Sequence, residues 1–325
     1  CLTHVHRYRL STITIATFHS ILPQANSLIQ SLTTTYIKEV FTLNEFITLT
    51  RPRTLVAALS PIILGSTFSA YAIYSGIITP KDFNLTLAIF NSIVIFIAVV
   101  SAQIIANLWN EYCDYKSGLD AKQKVGNAGS ITKGHISPSA IMRMIKILIM
   151  LPLLIGIYLS LNISLWYFPA GAFCILISFL YSGGPKPISR TPFGELASGV
   201  AMGLAIVLIE GFTWLGELNG YLIIPALPST LFVGSIMLTN NIRDYANDRD
   251  HGRKTLPIVL GRQRAIDLQR FILVFNNIWL ASFVVQGLMA PWTLLCLMSL
   301  IPGFKMVHTL NTYSDVYKRD SAMGL

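Results

Sequence analysis

The sequence has 325 residues, of which 53% are hydrophobic and 12% charged, whereas a typical soluble domain has about 25% charged residues. This composition argues against a soluble enzyme, and the many aromatic and branched apolar residues exclude a disordered chain. The net charge of +9 does not indicate nucleic acid as a partner, because the apolar composition indicates a membrane protein, in which the positions of the charges matter more than their sum. The four cysteines, Cys1, Cys113, Cys174 and Cys296, have no paired spacing and indicate neither a disulfide framework nor a zinc site.

The chain begins with an extension, residues 1–50, in which residues 38–49 predict an amphipathic helix leading into the membrane. The first part of this extension is expected to be either a presequence or not native. At the other end, the polar tail of residues 313–325 is expected not to be native. The segment between them, residues 51–312, is predicted to be the membrane domain.

Eight apolar blocks lie in this domain, each near the roughly 20 residues that cross a hydrocarbon core of about 30 Å. They comprise residues 55–78, 85–108, 144–161, 165–181, 196–215, 222–238, 271–288 and 292–304. Buried core helices are a poor alternative, because so little polar sequence separates the blocks. The pattern predicts an all-α, polytopic transmembrane helical bundle with eight visible spans.

Positive residues alternate between the loops of this bundle. Arg51 and Arg53 precede the first block, and the loops after the second, fourth and sixth blocks are rich in Lys and Arg, while the alternate loops contain only Lys81. Lys and Arg are retained on the cytoplasmic side of membranes. The N-terminus and the long loops are therefore predicted to face the cytoplasm, as in a bacterial cytoplasmic membrane.

A polar cluster directly continues the second apolar block. Asn107, Asn110 or Glu111, and Asp114 recur at helical spacing, and Asp120 follows them. If the helix continues through the cluster, the first of these side chains share one face. The pattern predicts a ladder of oxygen ligands at one mouth of the bundle.

A second polar cluster continues the sixth block in the same way. Asn240 and Asn241 precede Asp244 and Asp248, which are four residues apart, and Asp250 follows. The equivalent positions of the two clusters indicate a weak internal repeat.

Oxygen-only clusters suit a hard cation, and magnesium is normally held by one or two carboxylates together with substrate phosphates. A diphosphate is therefore the expected missing ligand. Positive side chains within the same loops would balance its charge; they are Lys116, Lys133, Arg243, Arg253 and Lys254.

Four stretches of the chain carry a family resemblance. They are residues 51–55 with Gly65, residues 110–120, residues 181–185 followed by Gly194 and Glu195, and residues 240–261. With these motifs the sequence resembles the UbiA superfamily of intramembrane aromatic prenyltransferases, and within it the branch that prenylates 1,4-dihydroxy-2-naphthoate in menaquinone biosynthesis. The resemblance implies nine transmembrane helices around a central cavity, so the ninth is expected to be missing here.

The first motif departs from the usual superfamily pattern. Glu111 stands where the first Asp is usual, Gly118 occupies the usual third position, and Asp120 comes two residues later. The Gly-x-Asp form is typical of the naphthoate branch. It leaves open whether Asp120 is a direct metal ligand.

The resemblance also implies roles for individual residues. The catalytic set, which would hold Mg²⁺ bridged to a polyprenyl diphosphate, is Asn110, Asp114, Asp244 and Asp248, with Glu111, Asp120 and Asp250 as supporting metal ligands. The expected substrate-binding residues are Arg51, Asn107, Lys133, Tyr181, Lys186, Asn240, Asn241, Arg243 and Lys254. For Tyr181 an interfacial tyrosine is equally consistent, and Arg51, Lys186 and Arg190 fit a topological role equally well.

The spans themselves give two further expectations. The isoprenoid tail is expected in a groove between helices such as the first, second and fourth spans. Glu210 lies near the outer end of the fifth span, where an ionisable residue is costly, and it is expected to snorkel to the far interface.

Three alternatives remain at this stage. The acceptor could be hydroxybenzoate or homogentisate. A secondary transporter would place its coupling residues near the bilayer midplane on broken helices, whereas these carboxylates lie at the cytoplasmic mouth. Membrane CDP-alcohol phosphotransferases concentrate their carboxylates in one long motif, whereas this chain has two.

Overall fold

The computed structural model describes residues 43–118 and 129–312. Asp120, the extension before residue 43 and the tail of residues 313–325 lie outside the described residues. The expectations for these segments stay predictions.

The described part of the chain consists of helices joined by short connections. The α-helices are α1 (Leu43–Thr50), α2 (Pro52–Tyr74), α3 (Leu85–Ser117), α4 (Pro138–Leu148), α5 (Met150–Asn162), α6 (Tyr167–Ser182), α7 (Gly194–Ser198), α8 (Ala205–Leu215), α9 (Ile223–Arg243), α10 (Tyr245–Asp250), α11 (Leu256–Leu260), α12 (Arg262–Val285) and α13 (Leu300–Thr312). A π-helical turn, Gly199–Leu204, joins α7 to α8. Three 3₁₀ segments, Ile188–Arg190, Gly220–Leu222 and Pro291–Ser299, complete the described connections.

The predicted all-α membrane bundle is confirmed. Seven helical segments in the described ranges are long and apolar enough to cross a membrane: Ala57–Tyr74, Leu85–Ser117, Pro138–Asn162, Gly194–Leu215, Gly220–Arg243, Arg262–Val285 and Pro291–Thr312. The fourth predicted span corresponds to α6, which is apolar but only 16 residues long. Each of the eight predicted blocks therefore lies on a helical segment.

Small residues bring the fifth and sixth spans unusually close. A Cβ built on Gly203 would lie 2.6 Å from the Cα of Thr230, and one on Gly199 would lie 2.5 Å from its carbonyl oxygen. Small residues spaced four apart allow this approach between membrane helices. The contact fixes the span that contains Glu195 against α9, which contains Asn241 and ends at Arg243.

Glu210 does not snorkel to an interface. Its side chain is fully buried, and Oε1 accepts hydrogen bonds from the Ser92 hydroxyl and, at 3.2 Å, from Trp214 Nε1. Gly65 leaves room for it, because a Cβ there would lie 3.0 Å from the Cβ of Glu210. The expectation was wrong because position along a helix does not reveal which face meets neighbouring helices, and here that face offers donors.

A break between α1 and α2 begins the site. Arg51 has φ 48°, a left-handed conformation that is uncommon for a residue other than glycine. Pro52 follows and starts α2, as proline favours the first helical position. The break directs the Arg51 side chain toward the cytoplasmic end predicted for α3.

Candidate active site

Asn107 ties the α1–α2 break to α3. Its Nδ2 donates to the Thr50 carbonyl oxygen at 2.9 Å and to Thr54 Oγ1 at 3.1 Å. Its Oδ1 accepts a hydrogen bond from Gln103 Nε2 at 3.4 Å. The Asn107 amide is thus fully engaged with neighbouring protein groups, and it holds Arg51 near the next turns of α3.

Arg51 and Asn110 form the next layer. Arg51 Nη1 donates to Asn110 Oδ1 at 3.3 Å, and Asn110 Nδ2 donates to the hydroxyl of Ser182 at the end of α6 at 3.1 Å. Asn110 therefore joins three helices at the mouth of the bundle. The sequence predicted Arg51 and Asn110 as site residues, but did not indicate Ser182.

Glu111 is turned into the protein and holds the chain that returns to the bundle. The residue is 1% exposed, and its Oε1 accepts hydrogen bonds from the backbone N–H groups of Gly129 at 3.0 Å and Ile131 at 3.3 Å. Its Oε2 lies 3.6 Å from Arg51 Nη2. In this arrangement Glu111 anchors the segment after residue 128 as well as facing Arg51.

In the second cluster, two carboxylates are paired with arginines. Arg243 donates from Nε and Nη2 to the two oxygens of Asp244 at 2.8 and 2.7 Å. Arg253 Nη1 donates to Asp248 Oδ1 at 2.9 Å, and Asp248 is fully buried. Burial raises the pKa of Asp248 above its ordinary value, against the opposing effect of Arg253.

The loop after α6 packs on the second cluster. Arg253 Nη2 donates to the Ser189 carbonyl oxygen at 3.2 Å, and the backbone N–H of Lys254 donates to the Arg190 carbonyl oxygen at 3.1 Å. These bonds hold the short 3₁₀ segment, Ile188–Arg190, beside the loop that follows α10.

Arg253 joins the two clusters. Besides its bond to Asp248, it interacts electrostatically with Asp114 on α3, as do Arg51 and Arg190. Three arginines from separate parts of the chain are thus close enough to Asp114 to interact with it electrostatically. Such an arrangement can bind an anionic ligand between the guanidinium groups and the carboxylates that they pair.

A further polar pair lies on the fifth and sixth spans. Asn241 Nδ2 donates to Glu195 Oε1 at 2.8 Å, and Glu195 is 6% exposed. Tyr181, at the end of α6, interacts electrostatically with Glu195, Asp248 and Arg253. The structure therefore brings Tyr181 and Asn241 near a glutamate to which sequence reasoning assigned no role, and their contact with a substrate stays a prediction.

Four other predicted residues lie at the periphery. Lys133, Lys186, Lys254 and Asp250 are exposed, and Asp250 Oδ1 lies 3.8 Å from Arg249 Nε. Their contact with a ligand stays a prediction. Asn240 lies on the last turn of α9, half-buried, and its carbonyl oxygen accepts the backbone hydrogen bond of Asp244.

The donor set fits a magnesium ion shared with substrate phosphates. Asp248 Oδ2 is buried and has no hydrogen-bond partner, and the same holds for Glu111 Oε2. In the described residues no three His, Cys, Asp or Glu side chains gather closely enough to hold a metal by themselves. Magnesium sites commonly use one or two carboxylates and complete their coordination with phosphate oxygens.

An apolar pocket lies inside the membrane domain. Helices α3, α5, α6 and α8 and the π-helical turn line it, with Gly156, Gly171, Cys174 and Met202 among the lining residues. Its polar end includes Gln103, the donor to Asn107. The predicted groove for the isoprenoid tail used the first, second and fourth spans. The observed pocket is lined by the second and fourth spans as predicted, and by the third and fifth spans instead of the first.

Sequence reasoning assigned no site role to Ser182 and Glu195, and for Arg190 a diphosphate contact and a topological role were equally consistent. Arg190 stands out only as a loop cation, and Ser182 has no distinguishing spacing. Glu195 could have been recognised as a candidate, because it is an ionisable residue at the start of an apolar span.

Comparisons with known proteins agree with this architecture. The family model described as "UbiA prenyltransferase family" matches residues 58–323. The 1,4-dihydroxy-2-naphthoate octaprenyltransferase of Bacillus subtilis is 36% identical over 251 residues, which cover 77% of this chain and 77% of that protein. The Escherichia coli protein of the same name is 27% identical over 77% of this chain and 79% of its own length.

Among solved structures, that of a UbiA homolog from Archaeoglobus fulgidus bound to GPP and Mg²⁺ has a TM-score of 0.61 at 17% identity. The match covers 86% of this chain and 99% of that one. The apo structure of a UbiA homolog from Aeropyrum pernix K1 has a TM-score of 0.61 at 14% identity, over 81% and 91% of the two chains. At these identities the similarity concerns the fold.

Proposed function

Because the chain belongs to the UbiA prenyltransferase family, we propose that it transfers a polyprenyl group from a polyprenyl diphosphate to 1,4-dihydroxy-2-naphthoate, with loss of the acceptor's carboxylate. The observation that carries this proposal is the position of Arg253, which pairs with Asp248 and interacts with Asp114. This position links the two carboxylate clusters of the sequence and supports one anion-binding centre between them. The product would be a demethylmenaquinol.

Asn110, Asp114, Asp244 and Asp248 are the residues that would hold magnesium, with Asp120 and Asp250 as supporting groups. Glu111 would contribute mainly through the segment that it anchors. When bound, magnesium would supply Lewis-acid neutralisation of the leaving diphosphate. The orphaned, buried Asp248 Oδ2 supports this assignment.

The chain's own cations would bind the diphosphate. Arg51, Arg190 and Arg253 interact electrostatically with Asp114, and guanidinium groups suit bidentate contacts with phosphate oxygens. Lys133, Lys186, Arg243 and Lys254 would add positive charge at the rim. As the carbon–oxygen bond of the diphosphate breaks, this charge would stabilise the leaving group.

The apolar pocket would receive the isoprenoid chain. Its mostly apolar lining would exclude water from the allylic cation until a ring carbon of the acceptor attacks. Tyr181, beside Glu195 and Asp248, would face the reacting groups from the end of α6. Asn107, Asn240 and Asn241 would support the substrate site from α3 and α9.

The protein is a multi-pass membrane protein, and we place its site on the cytoplasmic side of a bacterial cytoplasmic membrane. The concentration of Lys and Arg in the loops at that end supports this orientation. The same charge pattern supports residues 51–312 as the membrane domain, with residues 1–50 as an extension and residues 313–325 as a tail.

A three-acceptor assay tests the proposed reaction. Membranes containing the protein are incubated with polyprenyl diphosphate, magnesium and, separately, dihydroxynaphthoate, hydroxybenzoate and homogentisate. We expect a prenylated, decarboxylated naphthoquinol from the first acceptor alone. Product only from another acceptor would contradict the naphthoate assignment, and no product from any acceptor would contradict the transferase assignment.

A further inference from the structure

Glu195 has a carboxylate oxygen that nothing in the described protein satisfies. Asn241 donates to Oε1 at 2.8 Å, whereas Oε2 is buried without a hydrogen-bond partner. The residue as a whole is 6% exposed. Buried polar atoms are nearly always paired, and an unpaired one is costly, so this oxygen is a strong acceptor for a donor on a ligand.

The carboxylate lies near two residues of the candidate site. Glu195 interacts electrostatically with Tyr181 and with Asp248. The hydroxyl of Tyr181 approaches the backbone of Gly194, where it would lie 3.6 Å from a Cβ. Glu195 therefore lies where α6, α7 and α9 come together.

The chemistry of a lone carboxylate oxygen selects the ligand. A diphosphate offers acceptors and negative charge, so it would be repelled there, while the isoprenoid chain has no polar atom. A phenolic hydroxyl is a donor, and its hydrogen bond to a carboxylate is a strong, charge-assisted one. The aromatic acceptor is the one substrate of the proposed reaction that carries such a group.

We propose that Glu195 binds a phenolic hydroxyl of the aromatic acceptor through Oε2 and so orients the ring toward the prenyl donor. The inference rests on the proposed function and assigns the acceptor end of that site. Asn241 then has a positioning role, because its bond to Oε1 fixes the carboxylate plane. Acceptors that lack the hydroxyl leave Oε2 unpaired and are rejected on that basis.

The test couples a change in the protein to a change in the ligand. Inhibition constants are measured for 1-hydroxy-2-naphthoate, 4-hydroxy-2-naphthoate and 2-naphthoate with the wild type and with Glu195→Gln. The glutamine oxygen can keep the Asn241 bond while an NH₂ group replaces Oε2. Each monohydroxy compound is compared with 2-naphthoate, which has no hydroxyl. In the wild type we expect 2-naphthoate to bind on the order of 10- to 100-fold more weakly than the monohydroxy compound whose hydroxyl contacts Glu195.

In Glu195→Gln the inhibition constants of 2-naphthoate and of that monohydroxy compound are expected to differ by less than about threefold, because the hydroxyl has lost its carboxylate acceptor. The KM of polyprenyl diphosphate is expected to change less than about threefold. An equal hydroxyl preference in both proteins, or an equal rise in the KM values of both substrates, would overturn the proposal. Glu217→Gln is the matched control, since Glu217 is exposed and hydrogen-bonds Asn219.

The wild type alone provides a second measurement if the variant does not accumulate in membranes. Equal inhibition by 2-naphthoate and by both monohydroxy compounds would overturn the role of Glu195, while prenyl transfer to dihydroxynaphthoate would still support the proposed function. Weaker inhibition by 2-naphthoate would support the hydroxyl contact. A wild type that transfers nothing to any phenolic acceptor would overturn both proposals.

Discussion

Arg253 donates a hydrogen bond from Nη1 to Oδ1 of the fully buried Asp248 at 2.9 Å. The same arginine donates from Nη2 to Ser189 in the loop after α6 and interacts electrostatically with Asp114 on α3. One guanidinium group therefore connects three parts of the chain that are distant in sequence. This relationship links the two carboxylate clusters, as the proposed single site requires.

Replacing Arg253 by alanine is expected to raise the KM of polyprenyl diphosphate by roughly 10-fold or more, because a guanidinium group that would bind the diphosphate by charge-assisted hydrogen bonds is lost. Replacement by lysine is expected to restore part of the affinity, since lysine keeps the charge but not the planar fork. Steady-state kinetics with varied donor concentration measure the effect. Arg249→Ala, at an exposed position, is the control, and an equal effect in both variants would argue against a specific role of Arg253.

Glu111→Ala is expected to destabilise the folded protein by about 1–3 kcal/mol, because two buried backbone donors lose their acceptor. Those donors are the N–H groups of Gly129 and Ile131, so faster hydrogen exchange is expected there as well. Thermal unfolding in detergent and amide exchange give the two readouts. Asp267→Ala removes an exposed carboxylate that pairs with Arg270 and is expected to change neither; unchanged exchange in Glu111→Ala would refute the anchor.

Gly203→Ala is expected to cost roughly 1–3 kcal/mol of stability, because its Cβ would overlap the backbone of the adjacent span. That Cβ would lie 2.6 Å from Thr230 Cα and 2.7 Å from the carbonyl oxygen of Ser229. Gly171→Ala is the matched control, since nothing lies within 4 Å of a Cβ there. Equal unfolding temperatures for the two variants would show that the close approach of the fifth and sixth spans is not required.

Gly156→Phe is expected to shift the enzyme toward shorter prenyl diphosphates, because the ring would occupy the apolar pocket that Gly156 lines. The readout is relative kcat/KM across donors of increasing length. Leu154→Phe on the same helix, at an exposed position, adds a similar ring toward lipid and should leave the length preference unchanged. A Gly156→Phe variant with the wild-type preference would place the isoprenoid chain elsewhere.

The two clusters could be predicted from sequence because each follows an apolar span at helical spacing, and that periodicity is local. Arg253 was predicted only as a cation that balances phosphate charge, and Glu195 was given no role. Arg253 interacts with Asp114 and Glu195 with Asn241, and both partners lie on other helices. Asn107 was predicted as a substrate ligand from its place in the ladder, yet its amide is engaged with Thr50 and Thr54.

Glu210 illustrates the same limit inside the membrane. Its place along the fifth span was clear from sequence, but its partners, Ser92 and Trp214, meet it through the packing of the second and fifth spans. The eight apolar blocks, in contrast, were located correctly because the requirement to bury backbone polar groups in lipid makes each span helical on its own.

The central claim is that the joined clusters form a magnesium-dependent prenyl-transfer centre. The most direct measurement is the rate of prenylated naphthoquinol formation at controlled magnesium, in the wild type beside Asp114→Asn and Asp244→Asn, with the amounts of membrane-inserted protein matched. We expect chelation with EDTA to stop the wild type, added magnesium to restore it, and both variants to lose nearly all turnover at every magnesium concentration. Transfer that persists under chelation, or near-normal turnover in either variant, would contradict the claim.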